Sequence, residues 1–333
     1  MGMQRREFTL MALAAAVPTA RADPSMPVTI VLAPSNLGLR PEGGDEPGTW
    51  RAPRVLMDAG LFEALHAAKV VPLDRPRYDT KAQAGTRIRN GLTIRTFSLQ
   101  LAETVHDVLR SGGFPVVIGG DCSVLLGALY GLRLAGGRGL VHVDGHIDFY
   151  HPGNYDTSSR LGSVAGMDLA LASGRGESLL TEWPNIGKPL ARDVDILQVG
   201  DREASTGRTH IPDTQITQIT VQRILQEGID TISQRAIAWL QTNRLQRAWL
   251  HVDLDVLDRR VMPAVDSPGS PGLSYAQLAG FVHALCASGR IAGVHFGIYD
   301  PDRDRAGQYA KPLVRCIADG VSGIHEVQTT SGL

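Results

Sequence analysis

The chain has 333 residues, 43% of them hydrophobic and 20% charged, an ordinary balance for a soluble globular protein with room for one large α/β domain or two smaller ones. Its formal net charge of -1 leaves no basic excess to draw it onto nucleic acid or an anionic membrane, so neither is expected as a partner. The three cysteines, Cys122, Cys286 and Cys316, are too few and too scattered for a disulfide framework, and the apolar settings of Cys286 and Cys316 predict buried core thiols.

In chain order the first predicted element is an export signal over residues 1–22. Arg5-Arg6-Glu7-Phe8 precede an apolar run from Leu10 to Val17, and Ala20-Arg21-Ala22 then gives a cleavage signature. The run is too short to span a bilayer, and the paired arginines make it similar to a twin-arginine signal. The expectation is an exported protein, periplasmic or extracellular, with no membrane span in its mature form. That form, residues 23–333, reads as a single domain. Apolar runs at 28–34, 115–121, 139–148, 195–203, 247–255 and 293–301 predict strands, each ending in a polar loop. Helix-like stretches such as Gly91 to Ser111 and Thr231 to Gln241 lie between them. Strand and helix in alternation imply βαβ units and a parallel sheet. The Gly/Pro-rich stretch from Arg40 to Pro53 reads as a long loop.

Acidic residues gather at one kind of place: Asp121, Asp144, Asp201, Asp253 and Asp300 each end a predicted strand. In open α/β sheets the ligand site lies beyond the carboxyl ends of the strands. Asp144-Gly145-His146-Ile147-Asp148 sets Asp, His and Asp at every second position, and Asp253-Leu254-Asp255 repeats the device. If these segments remain extended, a period of two turns the side chains to one side. Four carboxylates so placed repel one another and raise each other's pKa values unless cations neutralise them. Carboxylates with one imidazole suit divalent ions such as Mn²⁺, and two ions sharing carboxylates can deprotonate one water.

Gly119-Gly120-Asp121-Cys122-Ser123, the D-x-H-x-D segment and His251-Val252-Asp253-Leu254-Asp255 together resemble the three signatures of the arginase, agmatinase and formiminoglutamase (ureohydrolase) family, in family order. The resemblance covers nearly all of residues 23–333. It implies a three-layer α/β/α sandwich around a mostly parallel, roughly eight-stranded sheet, and hydrolysis of a small guanidino or amidino substrate at a linear C–N bond by a metal-bridging hydroxide. By the same resemblance Asp144 and Asp253 bridge two ions, Cys122 and Asp148 complete the first, and His146 and Asp255 complete the second. Mn²⁺ is the family's usual ion. Relatives are often trimers or hexamers, so a homo-oligomer is expected.

Four positions depart from the family pattern. Cys122 stands where a histidine ligand is usual, and its softer sulfur moves preference toward Zn²⁺. Ala165 occupies the position of a proton-shuttling histidine, with His151 as the candidate replacement. Ile298 replaces a guanidinium-gripping glutamate, with Asp300 two residues on as the candidate charge. Ser205 replaces a carboxylate that contacts the substrate's amino group. Asp148, His151 and Asp300 are thus the catalytic candidates. Cysteine in the first signature and Tyr299-Asp300-Pro301-Asp302 are shared with a family subset that includes hydrolases of N-hydroxyarginine. Two other readings stay open: a single-metal deacetylase-like amidohydrolase using Asp144, His146, Asp253 and Asp255, and a catalytically silent exported protein that binds a metal or ligand.

Overall fold

The structure is a computed structural model that describes residues 26–156, 158, 160–203 and 214–326; the export segment and Ser205 lie outside the described residues. Eight strands form one sheet: β1 (Val28–Leu32), β2 (Lys69–Pro72), β3 (Phe114–Ile118), β4 (Leu140–Val143), β5 (Ile196–Val199), β6 (Thr217–Ile219), β7 (Ala248–Asp253) and β8 (Ile291–Gly297). They lie in the order β2-β1-β3-β8-β7-β4-β5-β6, and every pairing is parallel. All carboxyl ends therefore open on one edge.

The six interior strands are the six predicted ones. Their near-continuous apolar runs follow from burial on both faces, and β3, β4, β5, β7 and β8 are buried at every position. The two edge strands, β2 and β6, were not foreseen. Each is only three or four residues long and partly exposed, so neither carries an apolar run.

Alternation along each strand builds two cores. Val28, Ile30, Val116, Ile118, Val141, Val143, Leu250 and Val252 face one layer; Val31, Val117, Leu140, Ile196 and Trp249 face the other. Helices α1 (Gly91–Arg110) and α2 (Val124–Leu134) cover the second face, through Ile94, Phe97, Leu101, Leu125 and Leu129. On the first face lie α3 (Ile229–Thr242), α4 (Tyr275–Ala287) and α5 (Ala310–Val321). This is a three-layer α/β/α sandwich. At about 25 cal/mol per Å² of apolar surface removed from water, these two layers dominate the stability of the fold. Cys286 and Cys316 are buried and unpaired, as expected. Among the described residues no helix is long and apolar enough to cross a membrane.

Candidate metal centre and cavity

Four adjacent strands, β3, β8, β7 and β4, hold the centre of the sheet, and the loops leaving them build the site. Their register keeps the ends level: Ile118 pairs with Phe296, Phe296 with Val252, and Val252 with Val143. After β3 the chain turns sharply through Gly119 and Gly120, at φ +87° and +82°. A Cβ on Gly119 would meet Pro53 at 2.4 Å, and one on Gly120 would meet Val124 at 2.7 Å and the Ala33 carbonyl at 2.8 Å. Only glycine fits both positions. Asp121 then fixes the loop, its carboxylate accepting from the Ser35 hydroxyl (2.7 Å) and the Gly38 and Ser123 amides (2.8 and 3.0 Å). Its role is structural. The turn delivers Cys122, fully buried, to the carboxyl end of β7, where its Sγ donates to Asp253 Oδ2 at 3.0 Å.

The D-x-H-x-D segment is not extended, contrary to the sequence expectation. Strand β4 ends at Val143, and Asp148 takes φ +46°. Likewise β7 ends at Asp253 and a short 3-10 turn carries Asp255. Both segments begin with an aspartate that binds the backbone two residues on: Asp144 accepts from the His146 amide (2.6 Å) and Asp253 from the Asp255 amide (2.7 Å). Gln198 on β5 secures the first loop by donating to the Asp144 and His146 carbonyls. The buried Arg202 donates to the Asp255 carbonyl.

These turns bring together all six predicted metal ligands in two groups, Cys122–Asp148–Asp253 and Asp144–His146–Asp255, each with donor atoms within 4.8 Å of one another. Burial and mutual repulsion push the Asp148 and Asp253 carboxyls well above the usual range. Burial raises Asp255 as well, against the pull of His146. Burial also raises the Cys122 thiol, with Asp253 adding to it. His146 goes the other way: burial opposes its charge, yet Asp255, 2.9 Å away, and Asp144 hold it protonated. Asp144 Oδ2 is buried without a hydrogen-bond partner. Carboxylates crowded in this way, with an orphaned oxygen among them, fit divalent cations, which would take the place of the protons.

A cavity of about 520 Å³ opens above the two groups. Its floor includes Cys122, His146, Asp148, Asp253 and Asp255; Phe149, Tyr150, Tyr155 and Ile298 form walls, and Arg40, Glu42, Arg160, Glu203 and Asp266 supply charge. Two catalytic candidates are not brought into it. His151 stands edge-on to Phe149 and accepts from the Gly153 amide, and it is not among the lining residues. Asp300 spends its carboxylate on the Gly48 and Asp302 amides, beside Arg303, and does not line the cavity either. Ile298 itself faces the cavity, 2% exposed and at φ +74°, an uncommon conformation for a β-branched residue. Its amide donates to the Gly120 carbonyl, which ties the β3 and β8 loops together.

Sequence reasoning missed a buried polar row beneath the site. His142, His251 and His295 are in register on β4, β7 and β8, with neighbouring rings 4.9 Å apart. Asp168, also fully buried, lies 3.4 Å from His142 and 3.7 Å from His251. Burial raises Asp168 to about 6 and lowers His295 to about 4. The available signal was one histidine inside each of three apolar strands, one residue before the end of β4 and two before the ends of β7 and β8.

A family model described as "Arginase family" matches residues 27–319. The chain belongs to the arginase family. It is 27% identical over 297 residues to the arginase of Bacillus caldovelox, spanning 86% of this chain and 95% of that one. The solved native structure of the Bacillus caldovelox arginase superposes with a TM-score of 0.77 at 25% identity, covering 89% of this chain and 98% of that one. The proclavaminate amidino hydrolase of Streptomyces clavuligerus shares the fold at a TM-score of 0.63 and 16% identity, over 92% and 94% of the two chains. Arginase-family proteins are hydrolases of linear amidine C–N bonds and use a binuclear metal centre, typically of Mn²⁺.

Proposed function

We propose that this arginase-family protein hydrolyses the guanidino group of an arginine derivative of reduced basicity, N-hydroxyarginine being the type case. The carrying observation is Ile298, which gives the cavity an apolar wall where the family resemblance implies a guanidinium-gripping glutamate. A full guanidinium buried without a paired carboxylate is costly, whereas an N-hydroxyguanidine is less basic and more easily enters as the neutral form. Arg40 and Arg160 suit the carboxylate of an α-amino acid, and Glu42 and Asp266, which also face Arg303, add negative charge to the lining.

Cys122, Asp148 and Asp253 would hold one divalent ion and Asp144, His146 and Asp255 a second. Bound there, the ions would supply an acidified water and a counter-charge for the developing negative oxygen or nitrogen. The chain's own residues do the rest. Gln198 and Arg202 hold the ligand loops by their carbonyls. Phe149 and Ile298 limit water, and Asp148, a carboxylate on the cavity floor, can accept the proton lost by the attacking water.

The test is release of urea-type products from arginine, N-hydroxyarginine and agmatine by the metal-loaded protein. N-hydroxyarginine is expected to give the highest kcat/KM. Ile298→Glu should shift the ratio toward arginine by roughly 10- to 100-fold, the equivalent of one charge-assisted hydrogen bond. Equal rates on arginine and N-hydroxyarginine in the parent chain would remove the basis of the substrate assignment.

A further inference from the structure

The histidine row has a definite proton arrangement. The Gly119 carbonyl can only accept, so His295 Nε2, 3.1 Å away, carries a hydrogen. In a neutral ring His295 Nδ1 is then a bare acceptor, and His251 Nδ1, 2.9 Å from it, must donate. His251 Nε2 is left as a lone pair. It is fully buried and has no hydrogen-bond partner, and the nearest carboxylate oxygen is Asp168 Oδ2 at 3.7 Å. An acceptor facing an acceptor in the interior needs a proton or a metal ion between them, and His142 Nε2 also approaches Asp168 Oδ2, at 3.4 Å. Donor atoms of Cys122, Asp168 and His251 all lie within 4.8 Å of one another, and all three residues are buried.

We infer that Cys122, Asp168 and His251 form a further metal site, one pleat deeper along β7 than the Asp148–Asp253 group, suited to Zn²⁺ rather than Mn²⁺. The donor set of one thiolate, one imidazole and one carboxylate is that of a borderline-soft ion. The Gly119–His295–His251 chain is the outer support that holds a ligating imidazole in one tautomer. Filling the site replaces the Cys122 S–H by a Zn–S bond and sends one proton to solvent. Asp253 then loses the thiol as a donor, and its Oδ2 is left free for the cavity side while Oδ1 keeps the Asp255 amide.

The experiment uses the full chain carrying His146→Gln, which removes the imidazole of the cavity-side groups, stripped with a chelator and reloaded with one equivalent of Zn²⁺. X-ray absorption at the zinc edge should show one sulfur and at least one imidazole on the same ion. Adding His251→Gln should remove that imidazole and weaken zinc binding by roughly 10- to 100-fold or more. A sulfur without imidazole would place the ion with Asp148 and Asp253, and a shell without sulfur would make Cys122 a spectator. Imidazole retained in the double variant would put His142 in place of His251. Each of these three results overturns the site. None depends on turnover, so failure here is distinct from failure of the substrate assignment.

Discussion

At the residue scale, Cys122 is where the chemistry of this chain turns. Burial and the neighbouring Asp253 keep its thiol protonated unless a cation takes the proton's place. Cys122→Ser should therefore lower the affinity for the ion it contacts, because a hydroxyl is a far weaker anionic donor than a thiol of pKa about 8.5. The Asp144–His146–Asp255 group should keep its ion. Cys122→His should move preference from Zn²⁺ toward Mn²⁺. Titration of the three forms with both metals is the check, and equal affinities in all three would show that the sulfur binds nothing. Cys122 was legible as a departure from the family signature. His251 was not, because a lone histidine inside an apolar run says nothing about what the next strand places beside it.

At the scale of elements, the loop after β3 and the start of α4 make a useful contrast. Gly120 is held at φ +82° between Val124 and the Ala33 carbonyl, two residues from Cys122. Gly120→Ala should cost about 1–2 kcal/mol for the left-handed conformation alone, with more from the close contacts, and should also displace Cys122. Helix α4 begins with a capping box, Ser274 accepting from the Gln277 amide while the Gln277 side chain accepts from the Ser274 amide. Ser274→Ala should cost about 1 kcal/mol, a fall of a few degrees in Tm, with no change in metal affinity. Calorimetry with and without Zn²⁺ separates the two. Equal losses of metal affinity in both variants would mean that the β3 loop has no special hold on the site. The interior strands were readable because burial on both faces leaves continuous apolar runs. The short, half-exposed edge strands β2 and β6 leave no such trace.

For the whole molecule, the buried acids link metal, protons and stability. Asp148, Asp168 and Asp253 have folded-state pKa values above the ordinary 3.8, Asp168 at about 6. Above pH 3.8 the unfolded chain binds fewer protons at these positions than the folded one, so their contribution to stability falls as pH rises through the folded values. His142, also raised, acts in the same direction. Asp144, which is lowered, acts the opposite way: its contribution is present above pH 3.8 and lost in acid. The chelated protein should therefore lose Tm as pH rises from about 4 through the Asp168 value of about 6. The metal-loaded protein should gain on it over the same range, since cations replace the protons. Thermal unfolding with and without chelator from pH 4 to 8 checks this; a metal effect on Tm independent of pH would contradict it. The proposed export of the chain is tested separately. Arg5→Lys with Arg6→Lys should leave the precursor in the cytoplasm, and unchanged export would point away from a twin-arginine route.

The sequence alone determined the architecture and named the candidate metal ligands that the fold gathers. Apolar runs and strand-end aspartates are local properties, and the three signatures spaced along the chain carry the family. What only the tertiary structure decided was how those residues meet. Asp148 reaches Cys122 and Asp253 because the chain leaves β4 in a turn rather than continuing extended. His151 and Asp300 stand near the site in sequence, yet their hydrogen bonds turn them elsewhere. The row of His142, His251 and His295, with Asp168 against it, comes from strand order and register, which pair residues more than 40 positions apart and leave no mark on any one strand.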